Sequence, residues 1–139
     1  ARTSGARFAE QSEEARAGLW RPEQLSVVVR GDASLPLIAI DAGHGGIDAG
    51  AHHDDTQEKD ITLQMALTLR DTLLESGRYR VVLTRERDVF IPLGERVEVA
   101  RRAGAVAFIS LHADVVTRGR ARGTTVFSLS EADSDRKPG

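Results

Sequence analysis

Cysteine is absent from the 139-residue chain. That excludes disulfides and thiolate metal ligands and leaves the redox compartment open, so any metal must sit on histidine and carboxylate. Long hydrophobic runs are also missing: the apolar stretches are strand-sized, and no membrane span is expected. Neither sign of charge prevails. The net charge is -2 and the pI is near 6.1, with Lys and Arg spread along the chain, so nothing directs it toward nucleic acid. No initiator Met precedes Ala1 and no apolar signal-peptide core comes after it, which reads as a processed or excised piece. What remains is the composition and length of one modest soluble domain.

The chain divides near Pro36. Residues 1–36 are rich in Ala, Arg, Glu, Ser and Gly, carry a short helical pattern around Arg7 to Leu19, and end in "LSVVVRG". They read as a linker or the tail of a preceding module, with the domain proper at 37–139. From Leu37 the pattern alternates. "LIAI" (37–40), "YRVVLT" (79–84), "VAFISL" (106–111) and "TTVFSL" (124–129) are short, apolar and bounded by Gly, Asp or charge, as strands are. The first and third read as buried on both faces. Residues 58–76 place Ile61, Met65, Leu69 and Leu73 at steps of four, with Leu67 and Leu74 widening the stripe and Gly77 as a stop. A second helix over 93–103 presents Leu93, Val97 and Ala100, with Gly104 closing it.

Strand, helix, strand, helix, strand implies parallel pairing and a three-layer α/β sandwich. Only about ten residues separate the third and fourth strands, too few for the usual helical crossover, so the fourth is expected to be antiparallel or at an edge. Ligands of such sheets collect beyond the carboxyl ends of the parallel strands. His44 lies just past the first strand among Gly43, Gly45 and Gly46, Glu58 opens the first helix, and His112 comes directly after the third strand. Two imidazoles and a carboxylate at one edge make a three-ligand zinc site with an open fourth position, the pattern of a hydrolase.

Blander roles stand beside this one. Glu58 is also an ordinary first-turn acid, and a histidine after a strand is often a packed or surface residue. His52 and His53 in "AHHDD" are the substitute ligands if His44 does not serve. Asp41 and Asp48 flank the glycine turn, where they would cap it or support a ligand from behind.

"IAIDAGHGGIDAGA", "QEKDITL", "VVLTR" and "FISLHAD" together resemble the catalytic domain of the zinc-dependent N-acetylmuramoyl-L-alanine amidases of bacterial cell walls. The likeness covers about residues 36–130. Carried over residue by residue, it implies zinc on His44, Glu58 and His112, and cleavage of the amide between N-acetylmuramic acid and the L-alanine of the stem peptide. It further implies peptidoglycan as partner, a periplasmic or extracellular location, a role in wall remodelling and daughter-cell separation, a protein activator and a monomeric state. Arg85 and Arg96 match positions where the family pattern carries Arg, with a substrate contact as one role and an ion pair or helix-face charge as the other.

The resemblance also implies a late general-base Glu, which is expected beyond Gly139. Without it the chain alone is expected to be inactive. Glu75 and Glu98 belong to helices, Glu131 lies after the fourth strand, and Glu86 lies on the right edge without matching the family's base. Two alternatives stay open: a non-catalytic, zinc-containing peptidoglycan-binding or regulatory module, and a nucleotide-binding α/β domain. The second is weakened by the absence of the P-loop Lys-Ser/Thr and of spaced dinucleotide glycines.

Overall fold

The computed structural model describes Leu25 and residues 27–113. Among the described residues four strands form the main sheet: β1 (Val29–Arg30), β2 (Leu37–Ala42), β5 (Arg80–Leu83) and β6 (Ala107–Leu111), in spatial order β1-β5-β2-β6. A small antiparallel hairpin, β3 (His52–His53) and β4 (Thr56–Gln57), precedes the first helix. Helix α1 spans Glu58–Glu75 and α2 spans Leu93–Ala103. β2 runs parallel to both β5 and β6, while β1 is antiparallel to β5. The α/β sandwich with a mostly parallel sheet is therefore present. Among the described residues the sheet begins with Val29, where the end of "LSVVVRG" pairs with β5.

The alternation of β2 sorts the core. Ile38, Ile40 and Ala42 join Val81, Leu83 and Ala66 on the α1 side, while Leu37 and Ala39 join Val82, Val99 and Ala100 on the α2 side. Successive strand residues point to opposite faces, so one central strand feeds both halves of the core. Burying each large aliphatic side chain contributes about 1.5–3 kcal/mol. That is why the near-continuous apolar run "LIAI" makes the central strand.

The expected helix faces are met in part: Leu67, Leu69, Leu73 and Leu74 of α1 pack on the core and Ala100 of α2 is buried, while the start of each helix turns its apolar residues outward. Ile61 and Met65 are 38% and 39% exposed, and α1 buries Glu58, Thr62 and Ala66 instead. Small Thr62 and Ala66 let the helix approach the sheet closely, and Thr62 Oγ1 donates to the Gly43 carbonyl at 2.7 Å. In α2, Leu93 and Val97 are exposed while Arg96, Val99 and Ala100 are buried. The guanidinium of Arg96 is drawn inward by an acid and by carbonyls, and this sets the helix's rotation.

Expected burial of the third strand is also corrected. Among the described residues β6 pairs only with β2, and all of it but half-buried Leu111 is exposed. Among the described residues it lies at the edge of the sheet. The fourth expected strand, at 124–129, lies outside the described residues.

Candidate metal centre

The turn after β2 is held in an uncommon shape. His44 has φ 67°, a left-handed conformation costly for a residue with a Cβ. Paired backbone bonds between Gly45 and Asp48 close the turn at 2.8 and 3.0 Å. Arg96 Nη2 donates to the His44 carbonyl at 2.7 Å, so the strained residue is clamped from both sides. Gly50, at φ 70°, leaves room for two of the site's side chains: a Cβ there would lie 2.7 Å from His44 Cδ2 and 2.8 Å from Glu58 Oε1.

Three side chains meet beyond the carboxyl ends of β2 and β6. His44 Nε2 is 3.1 Å from Glu58 Oε1, His112 Nδ1 is 3.3 Å from Glu58 Oε2, and the two ring nitrogens are 3.2 Å apart. The rings stand edge to face, 86° between planes. A tetrahedral ion with bonds of about 2.0–2.1 Å holds its ligand atoms roughly 3.3 Å from one another. The donor set thus has both the chemistry and the spacing for zinc.

The outward-facing atoms strengthen this fit. His44 Nδ1–H donates to Asp48 Oδ2 at 2.9 Å, which leaves a lone pair on Nε2. Glu58 is buried yet kept ionised. Burial would raise its pKa, but backbone N–H groups of Ala51 and Ala113, then the two histidines, outweigh that and lower it. Burial would likewise push the His44 imidazole down, but Asp48 and then Glu58 hold it above its ordinary value. The cluster attracts positive charge, a proton when no metal is bound.

His44, Glu58 and His112 are the trio named from the sequence, and their donor atoms all lie within 4.8 Å of one another. His52 and His53 are exposed on the hairpin and stand outside this cluster. Asp48 supports His44 directly, whereas Asp41 lies deeper, between Thr84, Arg96 and Ser110.

Arg85 and Arg96, for which a substrate contact and an ion pair or helix-face charge were both expected roles, are only 2% and 3% exposed. Arg85 donates to the carbonyls of Ala42, Gly43, Lys59 and Arg87. Arg96 bonds Asp41 and the carbonyls of Ile91, Ala42 and His44. Burial, then the neighbouring Arg96, lowers the Arg85 pKa to about 10. These are scaffold cations that tie the ends of β2, β5 and both helices to the glycine turn. Glu86 is likewise engaged, pairing with Arg30 at 2.9 Å and Arg70 at 3.4 Å.

Sequence reasoning passed over Ser110 and the Lys59–Asp88 clamp, in which Lys59 Nζ reaches Asp88 and the Gly46 carbonyl while Asp88 accepts from the Gly46 N–H. The period of two in "SLHAD" could have pointed to Ser110, which shares a strand side with His112. No such signal exists for the clamp, whose members are far apart in sequence.

An α/β sandwich with a His-Glu-His cluster past the ends of its parallel strands defines a metallohydrolase-like architecture. The family model for N-acetylmuramoyl-L-alanine amidase matches residues 38–138, and the chain belongs to that family. It is 44% identical over 95 residues to N-acetylmuramoyl-L-alanine amidase AmiC of Escherichia coli O6:H1, covering 68% of this chain and 23% of the relative. With AmiA of Salmonella typhimurium it shares 46% over 98 residues, covering 70% and 34%. Among solved structures, AmiC2 of Nostoc punctiforme superposes with TM-score 0.56 at 42% identity, over 63% of this chain and 49% of that one. The catalytic domain of CwlV from Bacillus (Paenibacillus) polymyxa var. colistinus gives 0.58 at 38% identity, over 60% and 48%. The chain therefore spans about a quarter to a third of these curated relatives and about half of these solved chains.

Proposed function

We propose that the chain carries the metal-binding part of a zinc-dependent N-acetylmuramoyl-L-alanine amidase, hydrolysing the amide between N-acetylmuramic acid and L-alanine in peptidoglycan. The observation that carries this reading is the convergence of three donors at 3.1–3.3 Å in a chain of the amidase family. Zinc bound there would polarise the scissile carbonyl and lower the pKa of water toward neutrality.

The protein's own groups prepare that chemistry. Asp48 fixes the His44 tautomer, and the N–H groups of Ala51 and Ala113 hold the two Glu58 oxygens apart, one toward each histidine. Arg85 and Arg96 immobilise the backbone from Ala42 to His44, so the donors are arranged before a metal or substrate arrives. No general base is assigned among the described residues, since Glu86 is tied into ion pairs. Peptidoglycan lies outside the cytoplasmic membrane, so the reading carries with it a periplasmic or extracellular location and a role in wall remodelling such as daughter-cell separation. No helix among the described residues is long and apolar enough to cross a membrane.

The test is digestion of purified peptidoglycan with and without chelator, and mass analysis of the released fragments. Stem peptides with a free L-alanine amine, released only when zinc is available, are expected. Cuts within the glycan or the peptide, or release indifferent to chelator, contradict the reading. Wall binding without any release favours the non-catalytic alternative.

A further inference from the structure

Asp41 is a buried carboxylate that accepts from three side chains and is not itself one of the three donors. It is 1% exposed and sits on β2 opposite Ser110 of β6 in the parallel register. Its Oδ1 accepts from Thr84 Oγ1 at 2.7 Å and Arg96 Nη1 at 3.1 Å, and its Oδ2 accepts from Ser110 Oγ at 2.7 Å. Ser110 Oγ also lies 3.3 Å from His112 Nε2, the ring nitrogen away from the cluster.

Proton counting fixes the direction of that last bond. A serine hydroxyl has one proton, and here the ion-paired Asp41 carboxylate takes it. Ser110 Oγ can then only accept from His112, so the imidazole carries its proton on Nε2 and its lone pair on Nδ1. Nδ1 is the atom aimed at Glu58 and His44.

The geometry points to Asp41 and Ser110 as a positioning relay that sets the tautomer and ring orientation of His112. It is the counterpart, through one hydroxyl, of the direct Asp48–His44 bond. Arg96 binds both Asp41 and the His44 carbonyl, so one buried cation anchors the His112 support and the backbone of His44. The inference rests on His112 being a metal ligand, and it adds a specific role for two residues that bind no metal. Partners behind a ligating histidine typically change metal affinity by about 10–100-fold.

Three variants test it by zinc titration against a chromophoric chelator, together with the NMR signal of the His112 Nε2–H in the zinc-loaded protein. Ser110→Ala removes the acceptor: zinc affinity is expected to fall about tenfold and the Nε2–H signal to be lost to solvent exchange. Ser110→Thr keeps the hydroxyl on a β-compatible side chain and is expected to restore both. Asp41→Asn keeps the shape, with the amide oxygen toward Thr84 and Arg96 and its NH₂ toward Ser110. The hydroxyl is then free to donate to His112 Nε2, and affinity is expected to fall further than in Ser110→Ala. Unchanged affinity with a protected Nε2–H in Ser110→Ala, or Ser110→Thr binding as weakly as Ser110→Ala, overturns the relay. Should Asp41→Asn fail to fold, the two Ser110 variants decide. Failure of the zinc reading itself looks different: the unmodified protein then binds no zinc.

Discussion

His44 Nε2 and His112 Nδ1 stand 3.2 Å apart although 68 residues separate them in sequence. With the single N–H of each neutral ring directed outward, to Asp48 and to Ser110, both lone pairs face each other and the Glu58 carboxylate. Such a grouping is repulsive unless a cation sits among the donors, which is the physical content of the metal assignment.

Gly50 is the position where a single methyl group reaches two donors together. Gly50→Ala places a Cβ against both His44 and Glu58 at a positive φ. Zinc affinity is expected to fall about 10–100-fold, with about 1–2 kcal/mol lost from the fold for the left-handed alanine. Calorimetric titration beside thermal melts separates the two effects. Gly45→Val is the contrast: its Cβ would collide with the Val89 carbonyl and the Arg85 side chain rather than with a donor. It is expected to lower the melting temperature of the metal-free protein as well.

Acidity should act in opposite directions on the metal-free and zinc-loaded forms. The His44 pKa is raised above its ordinary 6.5, so its contribution to metal-free stability is full below the unfolded value and is lost as pH rises through the raised one. The Glu58 pKa is lowered from 4.5, so its contribution is present above the unfolded value and is lost as pH falls through the lowered one. The pair therefore favours the metal-free fold most between those ordinary values. Zinc needs the same imidazole unprotonated. Its affinity is expected to climb as pH passes upward through the raised His44 value, and a pH series of zinc titrations checks this. A flat series between about pH 5 and 8, the span in which histidine ordinarily changes charge, would remove His44 from the donor set.

Arg96→Met should injure the scaffold before the chemistry. It leaves Asp41 buried without its cation and the carbonyls of Ile91, Ala42 and His44 without a donor. Breaking one side of a buried pair costs about 3–5 kcal/mol. Denaturant unfolding of the metal-free protein is expected to show that loss. An unchanged midpoint, with only substrate affinity reduced, would restore Arg96 to a substrate contact.

Much of this arrangement was legible in the sequence. The helix from Glu58 ends at Glu75, just before Gly77, because glycine at positive φ terminates helices, and the short β-branched runs marked the strands closely. The placement of His44, Glu58 and His112 came from topology, since residues past parallel strands share an edge. The outward turn of apolar residues at the start of each helix was not legible. Apolar Ile61 and Met65 outweigh Thr62 and Ala66 in any hydrophobic pattern, yet close packing on the sheet and the pull of Glu58 into the site choose the smaller pair. The burial of Arg85 and Arg96 was hidden for a related reason: their partners are mostly main-chain carbonyls, which leave no mark in a sequence.

The most direct measurement is zinc stoichiometry and affinity in the unmodified protein and in His112→Ala, with His52→Ala and His53→Ala as controls. The geometry predicts about one zinc per chain, the number a single three-donor site holds. Loss in His112→Ala should exceed the roughly 10–100-fold typical of changing a residue behind a ligand, because two donors hold the ion poorly. Both controls should bind as the unmodified protein does. Full zinc occupancy in His112→Ala, or loss of zinc in either control, would contradict the assignment of the centre to His44, Glu58 and His112.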